Sequence, residues 1–386
     1  MNKSQLSFTN NTSPYKKGVL SSALNCHEEA IEFFGKAIET NPENALAYYN
    51  RGNSYRVLGK INEALESYII ALKIAPDNAD IRWNTSLLYL LTGDYQAGWA
   101  LHHSRKELNK PPRTSKLYHS RVWQGQNLKN KTILIHPEQG FGDFIQFSRY
   151  ANLLKTSGAI VILETHKNLY RLYKTQDIAD KTIHSEEETP TIDFHTSVID
   201  LPAIFNTTLE TIPNTSPYLH PPKEIKSQWA KRIGPKDLLR VGLAYQGNPK
   251  HTNDANRSIN SKLFEHLTRT PNIAFYNLQI SPTKYKLNTT FDLTNDIKDF
   301  ADTAGLISNL DLVVTVDTSI AHLAGALNVP TWILLPKTPD WRWLLNRNDS
   351  PWYPSMKLFR QSRRGNWTPV INEVINQLSR MSPKAI

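Results

Sequence analysis

The chain predicts an α-helical array over residues 13–108 followed by an α/β body in two lobes, over 118–222 and 237–386. Three observations carry this. The first hundred or so residues repeat with a 34-residue period: Glu29, Ala30, Glu32, Ala37, Pro42, Asn44 and Ala45 recur as Glu63, Ala64, Glu66, Ala71, Pro76, Asn78 and Ala79. From Thr132 on, short apolar runs of strand length alternate with helical segments, the pattern of a parallel sheet. That alternation occurs twice, interrupted over 221–236 by Pro221-Pro222 and an amphipathic piece bearing Trp229.

A 34-residue period with a small residue in the first helix and Pro after the second is the tetratricopeptide pattern. The clearest hairpin has helices over 45–58 and 61–75 with Gly59-Lys60 as its turn. Gly52, Ala64 and Ala71 permit close helix packing there, while Tyr55, Leu65 and Tyr68 fill the gaps. A third hairpin, 81–92 and 95–106, loses the terminal Pro. About three repeats are the minimum for a stable array, so this one leans on a neighbour. Residues 109–115, Asn-Lys-Pro-Pro-Arg-Thr-Ser, read as a linker.

The first lobe opens with a strand from Thr132 into the turn Pro137-Glu138-Gln139-Gly140-Phe141-Gly142-Asp143. Phe144, Phe147, Ala151 and Leu154 then fall at helical spacing up to Gly158, and strands follow over 159–164 and, less cleanly, 191–200. In the second lobe the strands are 239–247, 272–279, 310–317 and 331–336, with a short helix over 319–328.

Composition excludes several classes. The net charge of +10 suits an anionic partner. Its basic residues are dispersed rather than clustered with aromatics on one element, so nucleic acid is not the expected partner. A single cysteine, Cys26, rules out an internal disulfide or a cysteine-rich metal site. No stretch approaches the roughly 20 apolar residues of a membrane span, and the polar N-terminus lacks a secretory apolar run. The chain is expected in the cytoplasm and not integral to a membrane. The motifs of P-loop ATPases, zinc proteases and α/β-hydrolases are missing. No two Asp stand one residue apart in the pattern that often holds a metal–nucleotide complex, so neither a metal nor a cofactor is expected.

Four segments bear chemistry. In 137–143, Gly140 and Gly142 let the backbone approach a ligand, and Gln139 is a lesser candidate beside them. Asp143 follows at the mouth of a helix, where it is either a general base toward a hydroxyl or an N-terminal cap. The residue pattern by itself weighs the cap above the base. In 314–322 a Val-rich strand ends at Asp317 and a helix begins at once. N–H groups of Thr318, Ser319 and Ile320 there suit a diphosphate, and His322 lies one turn on. The bland alternative makes Asp317 a cap and His322 a packing residue. The loop 244–259 carries Gln246, Lys250, His251 and Arg257, potential phosphate contacts in what is otherwise only a polar loop. Finally, 339–361 holds Trp341, Trp343, Trp352 and Tyr353, which read as a hydrophobic cap under the C-terminal lobe, with Asp340 a minor candidate for ligand contact. His195, in the 191–200 strand, is a further minor candidate.

At these residues the chain resembles the heptosyltransferase-like (glycosyltransferase family 9-like) proteins, in the bacterial variety with N-terminal tetratricopeptide repeats. The resemblance runs from about Trp123 to Gln361 and is strongest at EQGFGDFIQFSRY, GNPKHTNDANRSI, DFADTAGLISNLDLVVTVDTSIAHLAGAL and PDWRWLLNRNDSPWYPSMKLFRQ. It implies a GT-B fold of two Rossmann-like lobes behind the repeats, a nucleotide-sugar donor, and metal-independent transfer with inversion. It puts the catalytic base at Asp143 and donor-phosphate contacts at Lys250, Asp317, Thr318, Ser319 and His322. Gly142, Gln246 and Arg257 join the donor-binding set. Ser319 stands where the heptosyltransferases have Gly, and the acceptor features of the lipopolysaccharide enzymes are not recognisable. The repeats resemble the plan of protein O-N-acetylglucosamine transferases, which makes a protein or glycan acceptor the expected second partner. The competing reading is a non-catalytic transferase-like scaffold that binds a protein partner through its repeats.

Overall fold

A computed structural model describes residues 12–109, 118–234, 236–280, 287 and 291–381. The linker expected at 109–115 lies, apart from Asn109, outside the described residues. The chain separates into two compact units. One comprises the repeat helices together with Asp340–Leu345; the other holds the two sheets.

The repeat unit is six helices in three hairpins: α1 (Pro14–Ala23), α2 (His27–Thr40), α3 (Ala45–Val57), α4 (Ile61–Ile74), α5 (Ala79–Thr92) and α6 (Tyr95–His102). Its periodicity is physical as well as textual. Asn44 and Asn78, one period apart, cap α3 and α5 by accepting the N–H of Ala47 and of Ile81, each at 3.1 Å. Ring pairs recur at the same offset: Tyr15–Phe34 at 6.0 Å, Tyr49–Tyr68 at 5.7 Å and Trp83–His102 at 5.0 Å. Asn50 Nδ2 donates to Tyr15 OH and Asn84 Nδ2 to Tyr49 OH, stitching each repeat to the one before. Gly52 is required by close approach, since a Cβ there would lie 2.6 Å from the Tyr68 ring. Its equivalent one period on is Ser86, matched with the smaller His102. Tyr68 is fully buried as expected, whereas Tyr55 and Leu65 are only half-buried.

Asp340–Leu345 supplies the short array with further packing. The Trp341 ring meets Trp99 edge-on at 5.4 Å and Tyr95 at 6.1 Å, and Trp343 is fully buried. The aromatic cluster read as one cap under the C-terminal lobe is therefore split, because Trp341 and Trp343 belong with the repeat helices. Deleting residues 1–108 strips Tyr95 and Trp99 from Trp341. Limited proteolysis should then cut within 340–345 in the truncated protein and not in the full chain; equal protection in both would contradict this packing.

The second unit contains two five-stranded, wholly parallel sheets. The first orders its strands β1-β5-β2-β3-β4, from β1 (Arg121–Val122), β2 (Thr132–His136), β3 (Ile160–Thr165), β4 (Lys181–His184) and β5 (Phe194–Ser197). The second runs β10-β9-β8-β6-β7, from β6 (Leu239–Ala244), β7 (Ile273–Asn277), β8 (Leu312–Val316), β9 (Thr331–Leu335) and β10 (Met356–Arg360). Every residue of β8 and β9 is buried, as strands covered on both faces require. In each sheet the strand order reverses once, between β2 and β5 and between β6 and β8. Open α/β sheets bind ligands outside the carboxyl ends of strands at such switch points.

The two lobes of this unit are joined tightly. Helix Phe141–Phe147 packs on helix Ser319–Ala326. Arg171 pairs with Asp299 at 2.9 Å and Asp302 at 2.5 Å, and Tyr218 and Leu219 donate their N–H groups to Ala326 O. The buried Arg149 of the first lobe donates to Gln146 O, Pro213 O, Tyr218 OH and, in the second lobe, Trp352 O. Its guanidinium lies 4.5 Å from the centroids of both Tyr218 and Tyr353. Among the described residues no helix is long and apolar enough to cross a membrane.

Candidate functional site

Both chemistry-bearing turns leave their sheets at the switch points. β2 ends at His136, and the chain runs through the buried Glu138 to Gln139, whose φ of 64° is left-handed. Such a conformation in a side-chain-bearing residue is strained and accumulates at working sites. Gly140 then starts the helix Phe141–Phe147, and Asp143 occupies its third position. Asp143 Oδ2 accepts the Gly140 N–H at 2.9 Å. Asp143 is therefore not the N-cap weighed against catalysis, since Gly140 holds that position; its carboxylate instead closes back on the cap N–H, and that bond fixes its direction.

In the second lobe β8 delivers Asp317, and Thr318 stands extended ahead of helix Ser319–Ala326. Asp317 does not serve as the cap. Thr318 holds that position, and its side chain makes no capping bond to the helix. The Ala321 N–H turns back on Thr318 O at 3.0 Å, and a helix start of this kind suits an anion by its dipole and first N–H groups. Arg257 NH1 donates to Asp317 O at 2.9 Å, and its Nε lies 3.3 Å from Asp254 Oδ1. That side chain therefore braces the basic loop against the β8 turn. The N–H of Gln246 is held by Gln279 Oε1 at 2.9 Å just beyond β6. Lys250 is exposed in the turn that follows, with its N–H on Asn248 Oδ1.

The two turns meet where His322 covers Gly142. A Cβ on Gly142 would lie 2.7 Å from His322 Cδ2 and 3.4 Å from Nε2, so only glycine lets the imidazole cover the helix that carries Asp143. The geometry thus brings His322 onto Gly142, the chain neighbour of Asp143, and separately joins Arg257 to Asp317. Two minor candidates go elsewhere. Asp340 belongs to the repeat unit, where its Oδ1 accepts the Arg342 N–H at 3.0 Å and lies 2.8 Å from Arg342 NH1. His195 sits within β5, with Nδ1 3.3 Å from His136 Nε2 and its ring 5.0 Å from that of Tyr118. Tyr118 also stacks on His136 and donates to the fully buried Glu164. Burial pushes the His136 imidazole down to about 4.

Two seam residues carry no signal of their own in the sequence: Arg149 is an isolated arginine, and Tyr353 reads with the neighbouring tryptophans as a hydrophobic cap. Trp352 packs edge-on against Phe147 of the first lobe, at 5.7 Å. Among the described residues no cluster of three His, Cys, Asp or Glu is arranged to hold a metal ion.

Comparison with known proteins agrees with the two-part organisation. Tetratricopeptide-repeat family models match residues 22–57 and 45–78, and the glycosyltransferase family 9 (heptosyltransferase) model matches 298–370. The latter span contains Asp317–His322 and Tyr353 but neither Asp143 nor Lys250. Protein FlbA of Caulobacter vibrioides is 26% identical over 385 residues, which is 90% of this chain. The chain spans 64% of the length of that relative. Among solved structures, Escherichia coli ADP-heptose lipopolysaccharide heptosyltransferase II aligns with a TM-score of 0.45 at 12% identity, over 64% of this chain and 99% of that one. A family 9 glycosyltransferase from Veillonella parvula aligns with a TM-score of 0.44 at 11% identity, over 62% and 88%. Tetratricopeptide-repeat models thus match within the helical array, and the heptosyltransferase model matches a stretch that contains β8, β9 and β10 of the second sheet.

Proposed function

We propose that this protein is a glycosyltransferase that moves a sugar from a nucleoside diphosphate donor to an acceptor hydroxyl, with inversion and without a metal. The observation that carries the proposal is the packing of His322 onto Gly142. It sets the helix start at Ser319, suited to a diphosphate, beside the helix that presents Asp143. In the proposed reaction Asp143 takes the proton of the acceptor hydroxyl, and the freed oxygen bonds to the anomeric carbon from the face opposite the phosphate. The bond from that carbon to the phosphate oxygen breaks, and the nucleoside diphosphate departs with its electron pair. Lys250, the Thr318–Ser319 helix start and His322 receive the growing negative charge. Gln246 and Asp317 orient the donor, and Arg257 holds that turn in place. In this reading the repeat unit recruits the acceptor, a protein or a glycan, and the reaction takes place in the cytoplasm.

Release of nucleotide from a panel of nucleotide sugars, with and without candidate acceptors, tests the proposal. Turnover of one donor supports it. No release from any donor, together with pull-down of a protein partner through residues 13–108, would favour a non-catalytic scaffold. Activity should also persist in excess chelator. Complete loss on chelation, restored by magnesium or manganese, would contradict the role given to the helix start and the basic side chains.

A further inference from the structure

The exit of β6 is held by side chains as well as by its sheet neighbour. β6 and β7 pair as far as Leu243 and Asn277, and the Leu278 N–H reaches Leu243 O at 2.9 Å. Beyond that point Gln279 takes over. Its side-chain Oε1 accepts the Tyr245 N–H at 3.2 Å and the Gln246 N–H at 2.9 Å. Both partners are donors, so the amide has one orientation. Gln279 is itself fixed, with its own N–H on Asn277 Oδ1 at 2.9 Å. The next N–H along the turn, that of Gly247, goes to Ser258 Oγ at 2.9 Å, and the Ile259 N–H returns to Tyr245 O at 2.8 Å. Within the loop, the N–H groups of His251, Asp254 and Ser258 bond back on Asn248 O, His251 O and Asp254 O, each at 2.9 Å. Three consecutive N–H groups at the exit of β6 are therefore given to side-chain acceptors, and the loop that follows is tied to itself.

We propose that Gln279, together with Ser258, is a positioning residue for the turn 245–247, and that this turn meets its ligand through side chains alone. Gln246 and Lys250 then act from a backbone that is set before the ligand arrives, so binding does not have to order it. A nest of free N–H groups, the other way for a turn to hold an anion, is not available at 245–247. That the ligand is a nucleoside diphosphate rests on the proposed function; the hydrogen bonds of the turn do not.

Native-state amide exchange of the full chain reads the positioning, and calorimetry with ADP, GDP, UDP and CDP reads its consequence. Gln279→Leu removes the acceptor at similar side-chain size. The amides of Tyr245 and Gln246 should then exchange about three- to tenfold faster, the effect of a lost hydrogen bond. Those of Val241 and Val314, in the adjoining strands, should keep their wild-type rates. Gln279→Glu, whose carboxylate offers the same acceptors, should restore the protection. Unchanged exchange in Gln279→Leu, faster exchange throughout the sheet, or no restoration by Gln279→Glu would each overturn the positioning role. The diphosphate that the wild type binds should bind Gln279→Leu about three- to tenfold more weakly, because only the ordered fraction of the turn is competent. Ser258→Ala, which frees the Gly247 N–H, should act in the same direction. Equal affinity in Gln279→Leu would overturn the functional part of the proposal. So would wild-type affinity in Ser258→Ala despite faster Gly247 exchange, since Gln279 would then act by touching the ligand. A wild type that binds none of the four contradicts the donor reading instead, and the exchange rates still decide what holds the turn.

Discussion

Asp143→Asn should lower turnover by roughly 10²–10⁴-fold, the range for loss of a positioned acid–base group, while the melting temperature stays nearly unchanged. The asparagine carbonyl oxygen can still accept the Gly140 N–H that Asp143 Oδ2 accepts at 2.9 Å. It cannot take up a proton. Donor affinity should also stay near wild type, because the proposed base acts on the acceptor. A folded Asp143→Asn protein with near-normal turnover would leave the residue only its bond to the cap N–H.

The largest effect on stability is expected at Arg149. Its guanidinium is buried and donates to three backbone carbonyls and one phenol drawn from both lobes and the segment between them. Arg149→Ala removes those donors and leaves a void between Tyr218, Trp352 and Tyr353. Buried acceptors left without partners cost about 1–3 kcal/mol each when no relaxation restores them. Allowing for such relaxation, the substitution should destabilise the protein by about 3–5 kcal/mol. Urea unfolding would measure this. A loss below about 1 kcal/mol, within the range of ordinary surface changes, would mean that the seam does not depend on Arg149.

Much of this architecture is legible in the sequence because local chemistry and tertiary role coincide. The 34-residue period survives folding as recurring caps, ring pairs and Asn–Tyr bonds. The apolar runs at 132–136, 312–316 and 331–335 are strands buried on both faces, and nothing competes with that assignment. The strands β1, β4 and β10 were not legible. Arg121–Val122 is two exposed residues, Lys181–His184 has Ile183 as its one apolar residue, and Met356–Arg360 carries Lys357 and Arg360 at the end of an aromatic segment. Each is paired on one side only, at the edge of its sheet.

The candidate site divides in the same way. The turns at 137–143 and 317–322 announce themselves by glycine spacing and by strand–turn–helix context. That His322 should lie on Gly142 does not, because it depends on how two lobes close over 180 residues of intervening chain. His195 and Asp340 were chosen for residue type alone. The fold commits one to a histidine pair within the first lobe and the other to a cap in the repeat unit.

Calorimetric titration of the full chain tests most directly whether the turns beyond β6 and β8 hold a nucleoside diphosphate, as proposed. One-site binding of at least one nucleoside diphosphate is expected, surviving chelator and markedly weakened by Lys250→Ala. Thermal stabilisation of about 2.7 kcal/mol is expected when the ligand stands at a hundred times its Kd. No heat and no thermal shift with any nucleoside diphosphate would contradict it.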